Sequence, residues 1–227
     1  MRKAAEYHRI HAQDRSRQMR RRVALEAARL ISEHGIRDYR QAKLKAAQRL
    51  GIGDEQGLPR NREIEDALRE HQRLFLSESQ PQALRERREA AAEAMRFLAR
   101  FEPRLVGAVL EGTADAHSAV SLHVFCDSPE DVAMFLHERG IPFEQRTRTL
   151  RMDRQRDADL PVLLFAAEGI AMDLTLMPRD ALRQPPLDRI DERPMRRASL
   201  ASLEAMLAEE EIAQFESGET GDERRET

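Results

Sequence analysis

The chain has 227 residues, 35% of them charged and only 4% aromatic, with a formal net charge of -3. That length suits one α/β domain with a helical extension, or two small domains. No run approaches the roughly 18 apolar residues of a membrane helix, the basic N-terminus lacks the apolar stretch of a secretory signal, and the single cysteine, Cys126, permits neither an internal disulfide nor a cysteine-built metal site. A cytoplasmic location without a membrane partner is therefore expected.

The first hundred residues carry helical periodicity. In "RRRVALEAARLISEHGI" the apolar positions Val23, Ala27, Leu30 and Ile31 form one stripe, with Gly35 placed to cap its end. The next segment repeats the pattern with Tyr39, Ala42, Ala46, Ala47 and Leu50, ending at Gly51, and the two predict a helical hairpin. After the breaker "GDEQGLPRN", a third helix is expected from about Arg62 to Leu76 with Ile64, Leu68 and Phe75 inward. A fourth is expected over about Gln82 to Arg100, with Leu84, Ala91, Met95 and Leu98 on its inner face.

From Pro103 the period changes to short apolar runs bounded by turns. "RLVGAVL" and "AVSLHVF" predict strands separated by a loop around Gly112. "SPEDVAMFLHERG" predicts a helix with Ser128 as cap, Pro129 at its first position, Asp131 as the capping-box acid and Val132, Phe135 and Leu136 buried. "PFEQRTRTLRM", "PVLLFAA" and "IAMDLTLMP" predict three more strands, the last two joined by a tight turn at Glu168-Gly169. A helix is expected from about Ser199 to Glu210, with "RRAS" readable as its start or as a phosphorylation site. The remaining tail is too polar to fold alone. The expected organisation is a helical region over 1–80, an α/β domain with its leading helix over 81–212 and an acidic disordered tail over 213–227.

Charge is distributed unevenly. Residues 1–50 hold fourteen Lys/Arg against five Asp/Glu, and residues 203–227 hold nine acids against two arginines. Two readings stand: a basic arm for nucleic acid or a protein partner with an acidic segment that shields it, or two solvated ends.

The order strand, small-residue turn, loop, strand, helix and hairpin over roughly residues 95 to 210 resembles the nucleotidyltransferase fold of the DNA polymerase beta superfamily. The resemblance is carried by Gly112-Thr113, the loop "ADAH", the strand Ser118-Ala119-Val120-Ser121-Leu122, and Asp173 in "AMDLTLM". That family carries a Gly-Ser turn, then a strand written Ser-Asp-x-Asp, and a third acid from a later strand. Two acids one residue apart project from one strand face and hold magnesium ions that clamp a triphosphate. Here Ala119 and Ser121 stand at the two aspartate positions, so this chain is identified as a degenerate member. The resemblance implies an α+β fold, with a helical N-terminal region followed by a nucleotidyltransferase-like mixed sheet flanked by helices. It implies a phosphate role for Gly112, Thr113 and Ser118, a metal or catalytic role for Asp173, and compensation by Asp115 as a metal ligand or His123 as a nitrogen ligand or general base.

Each residue also has a plainer reading. Gly112-Thr113 is equally a simple turn, Asp173 a solvated edge residue, His123 a buried and satisfied histidine, and Cys126 a core thiol. The functional expectation is a nucleotidyltransferase-like protein, catalytically reduced or inactive, that retains binding of a nucleoside triphosphate or phosphate and uses Mg2+ if active. The alternative is a non-catalytic module that binds nucleic acid or protein through its basic N-terminal helices. No P-loop, dinucleotide fingerprint, zincin motif or nucleophile elbow is present.

Overall fold

The computed structural model describes residues 2–34, 36, 38–52, 58–75, 79–188 and 193–222. Contacts divide the chain into one unit of Met1–Gln80 and another built from Pro81–Asp188 and Arg193–Thr227.

The first unit contains α1 (Arg2–His34), α2 (Tyr39–Arg49) and α3 (Asn61–Phe75). Its core is Val23, Ala24, Ala27, Ala28, Leu30, Ala42, Ala46, Ala47, Ile64, Ala67 and Leu68. Seven of these eleven are alanines, so little side-chain volume separates the helices. Asp38 caps α2 by accepting a 2.9 Å hydrogen bond from the Gln41 amide. The Tyr39 hydroxyl donates to the Glu65 carboxylate, joining α2 to α3. The expected cap at Gly35 and the side chain of Phe75 lie outside the described residues.

The second unit opens with α4 (Ser79–Phe97) and carries β1 (Arg104–Val106), α5 (Ala108–Glu111), β2 (Val120–Cys126), α6 (Pro129–Glu138), β3 (Glu144–Arg151), β4 (Asp157–Ala167), β5 (Ile170–Pro178) and α7 (Leu200–Asp222). The five strands form one sheet in the order β1-β2-β5-β4-β3. Strand β2 runs parallel to β5 and the other pairs are antiparallel, so the sheet is mixed and the fold is α+β. The Glu168-Gly169 turn has φ of 50° and 80° at its two central residues, the left-handed pair that lets a two-residue hairpin follow the strand twist.

Strand alternation sorts β2 and β5 into two faces. Val120, Leu122, Val124 and Cys126 join Met172, Leu174 and Leu176 under α4, α6 and α7, through Ala91, Met95, Val132, Phe135, Leu136 and Leu203. On the other face Phe125 and Met177 pack with Leu150, Met152, Leu160 and Ala181. Ser121, His123, Asp173 and Thr175 share this second face by parity.

Several elements differ from their sequence expectation. "RLVGAVL" is not one strand: Gly107 adopts φ 72°, ψ -154° after Val106, and Ala108–Glu111 turn helical. The run is apolar throughout, which leaves its periodicity uninformative. The Ser128 hydroxyl does not cap α6 but donates to Glu130, although the backbone does bond Asp131 N to Ser128 O at 3.2 Å. Ser199 does cap α7, its hydroxyl accepting from the Ser202 amide at 3.2 Å. Part of the polar segment read as an unfolded tail continues α7 as helix to Asp222, although it contains Gly218 and Gly221, and its composition does not account for this.

Candidate functional site

The parallel register sets Ser121 beside Asp173 and His123 beside Thr175, and β1 sets Arg104 beside His123. Of the three positions at which the resemblance expects acids, Ala119 immediately precedes β2, Ser121 lies on β2 and Asp173 on β5, and only Asp173 is an acid. The Asp173 side chain is 7% exposed. It is held by Arg148 of β3 in a two-pronged ion pair, Nη1 to Oδ1 at 3.0 Å and Nη2 to Oδ2 at 2.7 Å. The same Nη1 donates to Thr175 Oγ1 at 2.9 Å. In register Arg148 pairs with Leu160 of β4, so its long side chain crosses a strand to reach β5.

His123 is 2% exposed, and its Nδ1 has no hydrogen-bond partner among the described residues. The expected satisfied histidine is thus buried but incompletely paired. Burial first, and then the positive charges of Arg197 and Arg148, push its pKa down to about 3, so the ring is neutral at physiological pH. The Arg197 guanidinium stands 5.3 Å from the Phe125 ring centroid and donates to the carbonyls of Ala181 and Leu182, each at 3.0 Å. Burial and then the charge of Arg104 lower the pKa of Arg197 from its ordinary value. Arg104 donates to the carbonyls of Glu102 at 3.1 Å and Pro103 at 3.0 Å. Arg197 and Arg148 thus act on a neutral imidazole that stands opposite Arg104 in register.

The loop residues singled out from sequence lie in a different setting. Gly112 caps the end of α5 with φ 79°, its amide bonded to Ala108 O, and Thr113 N donates to the same carbonyl at 3.0 Å. A side chain added at Gly112 would face the Arg88 guanidinium at 3.9 Å rather than the sheet. The turn that abuts Ser121 is Gly107-Ala108, where an added Cβ would meet the Ser121 Cβ at 3.7 Å. That is ordinary contact, so the need for glycine there comes from its φ of 72°. Sequence reading missed Gly107 because it stood inside an apolar run.

Asp115 is 6% exposed and faces its own loop, accepting from the His117 amide at 2.9 Å and the Ser118 hydroxyl at 3.0 Å. Ser118 Oγ in turn accepts from the Asp115 amide at 3.0 Å. Arg87 of α4, itself buried, clamps the loop from outside by donating to the carbonyls of Ser118 at 2.9 Å and Ala116. Arg88 donates to Val109 O at 3.3 Å and pairs with Glu210 of α7. Arg87 and Arg88 lie three and four positions past Leu84 and four before Ala91 and Ala92, so helical spacing puts both on the buried face of α4, a signal that their charge concealed in the sequence.

Among the described residues no group of three His, Cys, Asp or Glu side chains is close enough to hold a metal ion. The residues present do not fit magnesium: the Asp173 carboxylate has both oxygens engaged by a cation already in place, its neighbour on β2 is Ser121, and Asp115 is bonded within its loop. Cys126 is buried, and burial, then the Asp131 and Asp127 charges, raise its pKa to about 11, which leaves it an unreactive thiol.

No protein-family model and no curated protein matches the chain. Among solved structures it is similar to the Cid1 poly(U) polymerase in a crystal structure with bound MgGTP, at 21% identity and a TM-score of 0.28. The match covers 41% of this chain and 32% of that chain, so the likeness spans about a third of the polymerase. Among the described residues no helix is long and apolar enough to cross a membrane.

Proposed function

We propose that the second unit is a nucleotidyltransferase-type domain that does not carry out metal-dependent transfer and works by binding. The observation that carries this reading is the Arg148–Asp173 pair: a guanidinium takes both oxygens of the one acid that remains, while Ala119 and Ser121 supply no partner acid. Transfer of a nucleotidyl group depends on positioned charge and metal ions. A site with one engaged carboxylate lacks that apparatus. The chain-level resemblance, and a register that sets Ser121 beside Asp173, support the choice of family.

The test is calorimetric titration of the full chain with ATP, GTP, CTP and UTP, with and without magnesium or manganese, together with a transferase assay. The expected result is no metal-dependent heat and no turnover. Metal-dependent binding abolished by Asp173→Ala, or turnover lost in that variant, overturns the reading.

A second reading has its own observation. Arg17, Arg21 and Arg22 are exposed on α1 just ahead of Val23, where the buried stripe begins, so this segment offers a basic helical surface. It suits a nucleic-acid backbone. Binding of RNA or DNA that weakens steeply with salt and is lost in Arg17→Gln/Arg21→Gln/Arg22→Gln would support it. Undiminished binding by that variant would exclude this surface.

A further inference from the structure

We infer that the sheet face bearing Arg104, Arg148 and Arg197 is a metal-independent site for a polyphosphate anion. This rests on the reading above that the site has no use for a divalent cation, and it names the ligand class that such a site still accepts.

Charge is the starting point. In a metal-dependent site, magnesium supplies the positive charge that offsets a triphosphate. Here Arg148 reaches across β4 and brings a permanent cation to Asp173. With Arg104 on the neighbouring β1 register and Arg197 over Phe125, three guanidinium groups accompany Asp173 on this face, while Arg146 and Glu144, in register with Thr175 and Asp173 across β4, neutralise each other as a pair. Their mutual influence is direct: Arg104 lowers the pKa of Arg197, and Arg197 and Arg148 both act on His123. Like charges assembled on a partly buried face repel one another unless an anion relieves them.

Donor capacity is the second point. The pair with Asp173 and the bond to Thr175 use three of the five N–H donors of Arg148. Its side chain remains 35% exposed, so the guanidinium is reachable from solvent. A planar guanidinium is suited to phosphate oxygens, which accept two parallel bonds.

His123 gives the third, independent observation. Its Nδ1 is buried without a partner among the described residues, on the same face and next to Arg104 in register. An unpaired buried polar atom is costly, and a ligand or its bound water on this face would satisfy it. A neutral imidazole also adds no charge of its own, so selectivity for the anion falls to the arginines.

The experiment uses the full chain in excess EDTA. Inorganic tripolyphosphate and ATP are titrated calorimetrically, and the His123 imidazole is followed by NMR. Tripolyphosphate is expected to bind without metal and to shift the His123 resonances, and Arg104→Gln is expected to weaken it about tenfold, the worth of one charged hydrogen bond. ATP binding more tightly than tripolyphosphate identifies a nucleotide as the natural ligand, and equal or weaker binding identifies a free polyphosphate. The inference is overturned if a folded protein binds neither in EDTA. It is equally overturned if the heat persists in Arg104→Gln with His123 unmoved, since the anion then sits elsewhere, as on α1. Binding that appears only when magnesium is restored, and disappears in Asp173→Ala, instead defeats the functional reading on which this one rests.

Discussion

The helical unit and the sheet unit bury their apolar residues in different ways. Alanine makes up seven of the eleven core positions of α1, α2 and α3, whereas the larger core of the sheet unit has four alanines among 22 residues and is built from Leu, Met, Phe and Val. Apolar stabilisation scales with area removed from water. The helical unit therefore gains less per buried residue and is more sensitive to added bulk, while the sheet unit is more sensitive to deleted bulk. The sheet unit also carries seven of the ten buried polar or charged residues among those described, whose cost it offsets from that larger core.

The largest expected effect is at the centre of the sheet. Leu122 is fully buried, and Leu122→Ala should destabilise the sheet unit by about 2–5 kcal/mol, measured by chemical denaturation. Unchanged stability would mean that the apolar face of β2 is not the core it appears from its packing.

Next is the ion pair. Arg148→Met leaves the Asp173 carboxylate buried and unpaired, and should cost about 2–3 kcal/mol, below the value for a fully buried pair because Arg148 is partly solvated. The double change Arg148→Met/Asp173→Leu should recover most of that loss. A single change without cost would show that Asp173 has another cation.

In the helical unit the sign of the size effect reverses. Ala27→Leu, at a position with no exposed surface, should cost about 1–3 kcal/mol by forcing α1 from its neighbours. A neutral or stabilising outcome would erase the contrast between the units.

Per pH unit, the smallest effect is the pH dependence that His123 gives the sheet unit. The folded pKa of His123 is depressed to about 3 from 6.5, so between those values the unfolded chain takes up a proton that the folded chain does not. Stability therefore falls as pH falls through this window, by at most about 1.4 kcal/mol per pH unit. His123→Leu should flatten the slope relative to the parent protein. Identical slopes would show that the ring is protonated in the folded state.

Local pattern determined much of this protein. Helical stripes at Val23, Ala27 and Leu30 and at Ala42 and Ala46, the strand alternation that puts Asp173 opposite Met172 and Leu174, the Glu168-Gly169 turn and the cap at Ser199 are all short-range features, and each is legible because backbone geometry repeats every two or 3.6 residues. The α+β class follows from where one period gives way to the other. The contents of the site do not follow in this way. Arg148 lies in "EQRTRTLR", a run that reads as a solvated edge strand, and meets Asp173 25 residues later in the chain only because β3, β4 and β5 pair in a particular register. Gly107 became the turn beside Ser121 through a backbone angle that an apolar run conceals, and Asp115 was turned into its own loop by Ser118. Periodicity reports which face a side chain takes; which charge it meets there is decided by non-local strand pairing, and that pairing is where an arginine came to occupy the carboxylate that a metal would need.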